Sequence, residues 1–468
     1  MLYRVFIILL LASFAAQAQD SVLPHKEHSL VLRKLRLSGN KITRSYIVRR
    51  EMQLREQSAY TRQELKQFIK EDADKLKNTK LFNSVALNIV QVSADTVDVS
   101  VALVERWYIF PEVIVKFADR NVNDWIKNHN ADFSRINLGF FIKHKNLWGR
   151  NEQMRIGGQI GFTQKLVFQY KFPFIDRRKK WGLQLNFEYL NNNSLPTGIK
   201  NDRLNFITSD TRGLHQSFKV RTGTSFRRNY YTTHFFSLGY TSHHAPDSVF
   251  QQLPEFFPGG RSSMAFLKLD YSMHISKQDD PSYPLKGNHF VFALSNQGLG
   301  AFSDYLTTTL NFQNHHYMPI GTRFNWYNSA FLSFSYSPEL PFLMQSGIGY
   351  HPVLMRGFEH FAIHGQHYAL FRNDLRWNIF RTTFNFKKII PWTQFQKMPL
   401  ALYLKTTADL GYIHAYRNAH PTRMHQRILY SLGTGLDLVS WYDVVINFHY
   451  TYNSLDEWNW GITFSKSF

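Results

Sequence analysis

The chain has 468 residues, no cysteine and a formal charge of +21, with 41 Phe, 24 Tyr and 10 Trp at a mean hydropathy of −0.33. The absence of cysteine excludes a disulfide framework and any cysteine nucleophile. The aromatic load is high for a soluble domain and suits a membrane barrel, which places aromatic belts at both interfaces.

In chain order, Arg4 supplies a positive n-region, Val5 to Ala16 form an apolar run, and Ala16-Gln17-Ala18 fits a small-residue cleavage site. Residues 1–18 are therefore expected to be a signal peptide, with the mature chain starting near Gln19. A bilayer span needs roughly 20 apolar residues, so this run is too short to be one. No later segment offers 18 uninterrupted apolar residues as a spanning helix. In an exported chain the basic excess points away from nucleic acid, to lipid phosphates, a positive lumen or simply a solvated charged face with no specific partner. Between Val31 and Lys80 alone, fourteen Lys and Arg face six Asp and Glu.

Residues 29–106 read as a small α/β domain. Val31, Arg33, Leu35 and Leu37 suggest a strand that ends at the turn pair Gly39-Asn40. Thr43 is expected to cap a short helix containing Ile47, Val48 and Met52. Thr61 with Glu64 forms a capping-box pattern, followed by Leu65, Phe68, Ile69 and Leu76 at helical spacing. Phe82 to Val90 and Thr96 to Val104 alternate as a closing pair of strands. The expected order is strand, helix, helix, strand, strand.

From residue 107 to 468 the period becomes two. Trp181, Leu183, Leu185, Phe187 and Tyr189 alternate with Gly182, Gln184, Asn186 and Glu188. Met154, Ile156, Gly158, Ile160 and Phe162 alternate with Arg155, Gly157, Gln159 and Gly161. Val444, Ile446, Phe448, Tyr450 and Tyr452 alternate with Val445, Asn447, His449 and Thr451. Apolar-out and polar-in over about ten residues is the pattern of a transmembrane antiparallel β-barrel. At that strand length the remaining chain suits about 16 strands.

Several of these segments together resemble the BamA/TamA superfamily of outer-membrane assembly and translocation proteins, with one polypeptide-transport-associated (POTRA) domain. In residues 29–106 the resemblance rests on Leu37-Ser38-Gly39-Asn40, on Thr79-Lys80-Leu81-Phe82-Asn83-Ser84-Val85 and on Val104-Glu105-Arg106-Trp107. In residues 107–468, Asn146 to Glu152 resembles the family's first hairpin, and Asp280, Pro284 and Gly287 its mid-barrel turn. Met355-Arg356-Gly357-Phe358 resembles the motif of the long sixth extracellular loop. Asn373-Asp374-Leu375-Arg376 and Ala408-Asp409-Leu410-Gly411 resemble two strand motifs downstream, and Gly433 to Leu436 leads into the last hairpin. The resemblance implies that the loop tip folds into the lumen, where Arg356 meets Asp409 on the strand that carries Gly411. It also implies a C-terminal sorting signal on the last strand, with Trp460, Ile462, Phe464 and the terminal Phe468 on one face.

The chemistry of an enzyme is not marked. There is no G-x-S-x-G elbow, and His360, His364 and His367 lack an acidic cluster or a second metal-binding motif. No catalytic residue, cofactor or metal is expected. The resemblance implies a non-enzymatic factor in the bacterial outer membrane, with its N-terminal domain in the periplasm. Its partners would be unfolded outer-membrane clients, outer-membrane lipid and lipopolysaccharide, and accessory lipoproteins. A passive channel or surface-binding barrel that keeps the fold is the alternative.

Overall fold

The computed structural model describes residues 29–465, apart from 118–132, 134–135, 177, 210–212, 248, 250–255, 300–302, 338, 349–352, 360 and 362. The expected signal peptide and Phe468 lie outside the described residues.

The N-terminal domain runs β1 (Ser29–Ser38), α1 (Ser45–Glu51), β2 (Ser58–Thr61), α2 (Arg62–Asn78), β3 (Phe82–Ser93) and β4 (Thr96–Glu105). Its sheet has the order β2-β1-β4-β3, with β1 parallel to β4 and the other pairs antiparallel. Helix α2 starts at a closed capping box: Glu64 N donates to Thr61 Oγ1 at 3.2 Å and Thr61 N to Glu64 Oε2 at 2.9 Å. Leu65 and Leu76 of α2 are fully buried with Ile47 and Val48 of α1 against Leu32, Val97, Val99 and Val101 of the sheet.

Two local expectations are corrected. Strand β2 was not anticipated, because four residues are too few to show a period. Thr43 does not cap α1; Arg44 holds the cap position and Met52 follows the last turn. The buried Thr43 hydroxyl instead lies 2.9 Å from Tyr108 Oη and accepts from Asn146 Nδ2 at 2.9 Å. It ties the domain to the sheet that follows.

That sheet contains sixteen antiparallel strands. The first eight are β5 (Ile109–Phe117), β6 (Ile136–Leu147), β7 (Glu152–Gly161), β8 (Thr163–Phe172), β9 (Trp181–Asn192), β12 (His215–Arg227), β13 (Thr232–His244) and β14 (Ser263–Ser276). The rest are β15 (Gly287–Gln297), β16 (Thr307–Ile320), β17 (Phe324–Ser335), β20 (His367–Asn385), β21 (Lys397–His414), β22 (Ile428–Val439), β23 (Val445–Asn453) and β24 (Trp458–Ser465). A hairpin of β10 (Ser194–Lys200) and β11 (Arg203–Thr208) leaves the barrel between β9 and β12. A short pair, β18 (Gly347–Ile348) and β19 (Ile363–His364), belongs to the loop between β17 and β20.

The strand alternation sorts the side chains as in a membrane barrel. Ile156, Ile160, Leu185, Phe448, Trp460, Ile462 and Phe464 are exposed outward, whereas His449, Thr451 and Asp409 are buried inward. Ion pairs fill the inner face, such as Arg155 with Glu112 at 3.1 Å and Glu188 between Lys165 at 2.7 Å and Lys219 at 3.3 Å. The Asn146 to Glu152 segment is the turn between the second and third strands, β6 and β7.

The N-terminal domain docks on the near turns of the barrel. Lys80 bridges Asp280 at 2.8 Å and Asp443 at 3.0 Å, and Arg106 reaches the other oxygen of Asp443 at 2.7 Å. Arg227 grips Glu51 of α1 with both terminal nitrogens, at 3.0 and 2.9 Å. Asn83 Nδ2 donates to Gln394 O at 2.7 Å, and Arg44 N to Gly149 O at 2.9 Å. At Gly149, with φ +70°, a Cβ would stand 2.1 Å from Ile42 O, so the docked backbone leaves no room for a side chain.

Candidate functional site: a loop tip bound inside the barrel

The loop between β17 and β20 turns into the barrel at residues 353–358. Three observations account for the turn. Phe358 N donates to Met355 O at 3.2 Å, Gly357 takes φ +81°, and Met355 and Phe358 are fully buried in an apolar cluster with Ile348, Ile363, Leu370 and Ile413. A Cβ on Gly357 would lie 2.9 Å from Thr451 Oγ1 on β23 and 3.4 Å from Asn453 Cβ. Only glycine combines that backbone with that approach.

The turn aims Arg356 at two carboxylates on adjacent strands. Its backbone N and its Nε donate to Asp409 Oδ2 at 3.0 and 2.9 Å, and one terminal nitrogen reaches Asp409 Oδ1. The other terminal nitrogen is paired with Asp374 Oδ1. Asp409 sits on β21 and Asp374 on β20, two ladder steps apart, because Arg372 is the partner of Asp409. Arg376, two residues beyond Asp374 on the same face, approaches its second oxygen at 3.4 Å and lies over the rings of Tyr283 and Tyr327 at 4.9 and 4.7 Å. Both aspartates are 3% exposed. Two carboxylates and two guanidiniums thus balance in a site where an unpartnered charge would be costly.

The tip also binds the last two strands. Asn453 Nδ2 on β23 and Asn459 Nδ2 on β24 both donate to Gly357 O, at 2.7 and 3.1 Å. Glu359 Oε1 lies 2.6 Å from His449 Nε2 of β23, under Gly461 of β24, where a Cβ would meet that nitrogen at 2.5 Å. Gly411 makes room in the same way, since its Cβ would stand 3.0 Å from Met355 Sδ. One loop tip therefore contacts β20, β21, β23 and β24.

The structure brings Met355, Arg356, Gly357, Phe358, Asp409 and Gly411 together. It places Trp460, Ile462 and Phe464 apart from them, on the outer face of β24. The sequence reading missed Asp374 as a partner of Arg356, although it singled out the motif around it. It also missed Asn453, Asn459, Glu359 and His449. None of these has a local signal, because each is one more polar residue at an inward position. Of the three spaced histidines, His360 lies outside the described residues. His364 is buried 3.1 Å from Gln345 Oε1, and His367 stacks on His414.

Two ends of the sheet remain. Among the described residues β5 pairs only with β6 and β24 only with β23, and no ladder joins the first strand to the last. In the N-terminal domain β3 is likewise an edge, with Ile89, Val90 and Val92 exposed toward its end.

Residues 31–106 match the POTRA family model, described as a surface antigen variable number repeat. No curated protein sequence matches the chain. Among solved structures the chain is similar to BamA from Haemophilus ducreyi lacking POTRA domains 1–3, with TM-score 0.52 and 15% identity over 93% of this chain and 84% of that one. It is similar to CdiB from Escherichia coli, with TM-score 0.57 and 12% identity over 93% and 75% of the two chains. CdiB from Acinetobacter baumannii gives TM-score 0.52 and 11% identity over 93% and 73%. Residues 31–106 thus belong to the POTRA family, and they lead into a sixteen-stranded antiparallel barrel that shares the fold of BamA and CdiB.

Proposed function

We propose that this protein works in the bacterial outer membrane, with its POTRA domain in the periplasm, as a non-enzymatic factor for inserting or translocating other proteins. The observation that carries the proposal is the pair of unladdered end strands, β5 and β24, at the two ends of an otherwise continuous sheet. An unpaired strand edge is a template for an incoming strand. A client hairpin could add to β24 or β5 while its apolar face meets lipid, continuing the outward row of Trp460, Ile462 and Phe464. The free β3 edge of the POTRA domain offers the same chemistry to an extended client earlier on its path. Unfolded outer-membrane proteins are thus the proposed clients. Outer-membrane lipid and lipopolysaccharide would be contacts of the barrel wall, and accessory lipoproteins further partners.

A passive channel is less well supported. The loop tip, its ion pairs and its apolar cluster lie against the inner face of β20, β21, β23 and β24, where an open pore would leave water. Depletion followed by quantitative outer-membrane proteomics tests the choice. Loss of a subset of barrel proteins is expected; an unchanged proteome together with steady conductance of the purified protein would reject the assembly reading.

A further inference from the structure

A cavity of about 370 Å³ lies between the POTRA domain and the barrel, and its lining is unbalanced in charge. Five cations face it, Arg50 and Lys75 from the POTRA helices and Lys171, Lys180 and Arg227 from the barrel, against the single carboxylate of Glu51. Glu51 is already used, since it holds Arg227 through both oxygens and Arg50 at 3.1 Å. Lys75 is nearly enclosed; it lies 3.7 Å from Asp72, beyond normal hydrogen-bond length, and 4.9 Å over the ring of Tyr230. Asp72 in turn spends its oxygens on the backbone N–H groups of Gln53 and Leu54, at 2.8 and 3.1 Å. Burial lowers the pKa of Lys75 from its ordinary value, as expected of an ammonium without enough acceptors. No carboxylate lies within ion-pair distance of Lys171 or Lys180 among the described residues.

We propose that this cavity is a binding site for a phosphate monoester carried on a small polyhydroxyl body. The phosphoryl group supplies acceptor oxygens for Lys75, Lys171 and Lys180, and charge-assisted hydrogen bonds of this kind are the strong ones. At about 370 Å³ the open cleft has room for more than a bare ion. Asn78, Asn151, Ser225 and Tyr230 complete the lining with neutral donors and acceptors suited to hydroxyls. Because the cations come from both modules, a bound ester would join the POTRA domain to the barrel.

Calorimetry of the full chain in nonionic detergent tests this with glucose 1-phosphate, glucose and inorganic phosphate as probes. Saturable binding of glucose 1-phosphate and none of glucose are expected. Lys171→Gln should weaken it at least tenfold, Lys75→Gln likewise, and the exposed control Lys66→Gln not at all. Equal affinity for inorganic phosphate would overturn the role given to the neutral lining. No saturable binding at millimolar concentration, or equal binding by the Lys171→Gln and Lys66→Gln variants, would overturn the site itself. If Lys75→Gln disturbs the POTRA fold, the Lys171 variant decides alone. A phosphorylated glycolipid in the micelle that competes would identify a lipid headgroup as the source, and one that does not would identify a free ester.

Discussion

Arg356 is enclosed by groups it cannot leave without cost. Removing Asp409 takes away the acceptor for its backbone N–H and for two of its side-chain nitrogens. Breaking one partner of a buried charge pair costs about 3–5 kcal/mol, because the other charge is left uncompensated. Asp409→Ala is therefore expected to lower the thermal midpoint of the barrel in detergent and to expose the 353–361 loop to protease. Unchanged loop cleavage and unchanged heat stability would refute the role given to this pair. Gly357→Ala should act at the same point by a different route. A positive φ costs a non-glycine residue of order 1–3 kcal/mol, and the Thr451 contact adds to it. A second residue-scale prediction concerns Asp98, whose carboxylate takes two hydrogen bonds from Arg33, at 3.0 and 2.9 Å, and one from Arg36 at 3.0 Å. The hydrogen bonds from Arg33, and after them the one from Arg36, hold its pKa well below the usual carboxylate range. A depressed carboxylate stabilises the fold above its unfolded pKa, about 3.9, and the contribution disappears as pH falls through the folded value. Hydrogen exchange of residues 31–106 should then show protection kept at pH 4 in the native chain and reduced in Asp98→Asn.

At the scale of elements, the strands were readable because each carries its own evidence. Ile446, Phe448 and Tyr450 alternate with Asn447, His449 and Thr451 within one short segment, and the register follows from which face meets lipid. Helix α2 was equally legible, since both members of its capping box lie within four residues. Thr61→Ala is expected to cost the POTRA domain about 1 kcal/mol, measurable by urea unfolding. What stayed hidden depends on distance along the chain. Thr43 looked like a helix cap because its partner Asn146 is 103 residues away. Asp374, Asn453 and Asn459 are inward polar residues in strands full of them, and nothing local says that a loop will come to meet them. The Arg356 and Asp409 pairing came from motif resemblance, not from periodicity. Strand β2 went unread because four residues with no strict alternation cannot outweigh two flanking helices.

For the whole molecule, polar contacts tie separate elements together at both ends of the barrel. On the far side the β10–β11 hairpin reaches across to the loop after β21. There Asp202 accepts from the backbone N of Arg423 at 2.9 Å and from its Nε at 2.5 Å, while Arg423 also lies 3.9 Å from Glu457 beside β24. On the near side Asp443 holds the POTRA domain through Lys80 and Arg106. These three residues are largely shielded, at 16, 12 and 8% side-chain exposure, so the cluster should resist salt better than an open surface pair. Asp443→Asn would remove the carboxylate that Lys80 and Arg106 share, leaving Lys80 its pair with Asp280. The expected result is faster proteolysis at residues 105–109 and a POTRA domain that undocks more readily as ionic strength rises. Ties at both ends also bear on what planar bilayers should record. The native protein is expected to give little steady current, deletion of 194–208 to give brief openings, and that deletion combined with Asp443→Asn to give sustained ones. If the native chain conducts as an open pore, the loop tip does not stay bound to β20, β21, β23 and β24 in solution as it is here.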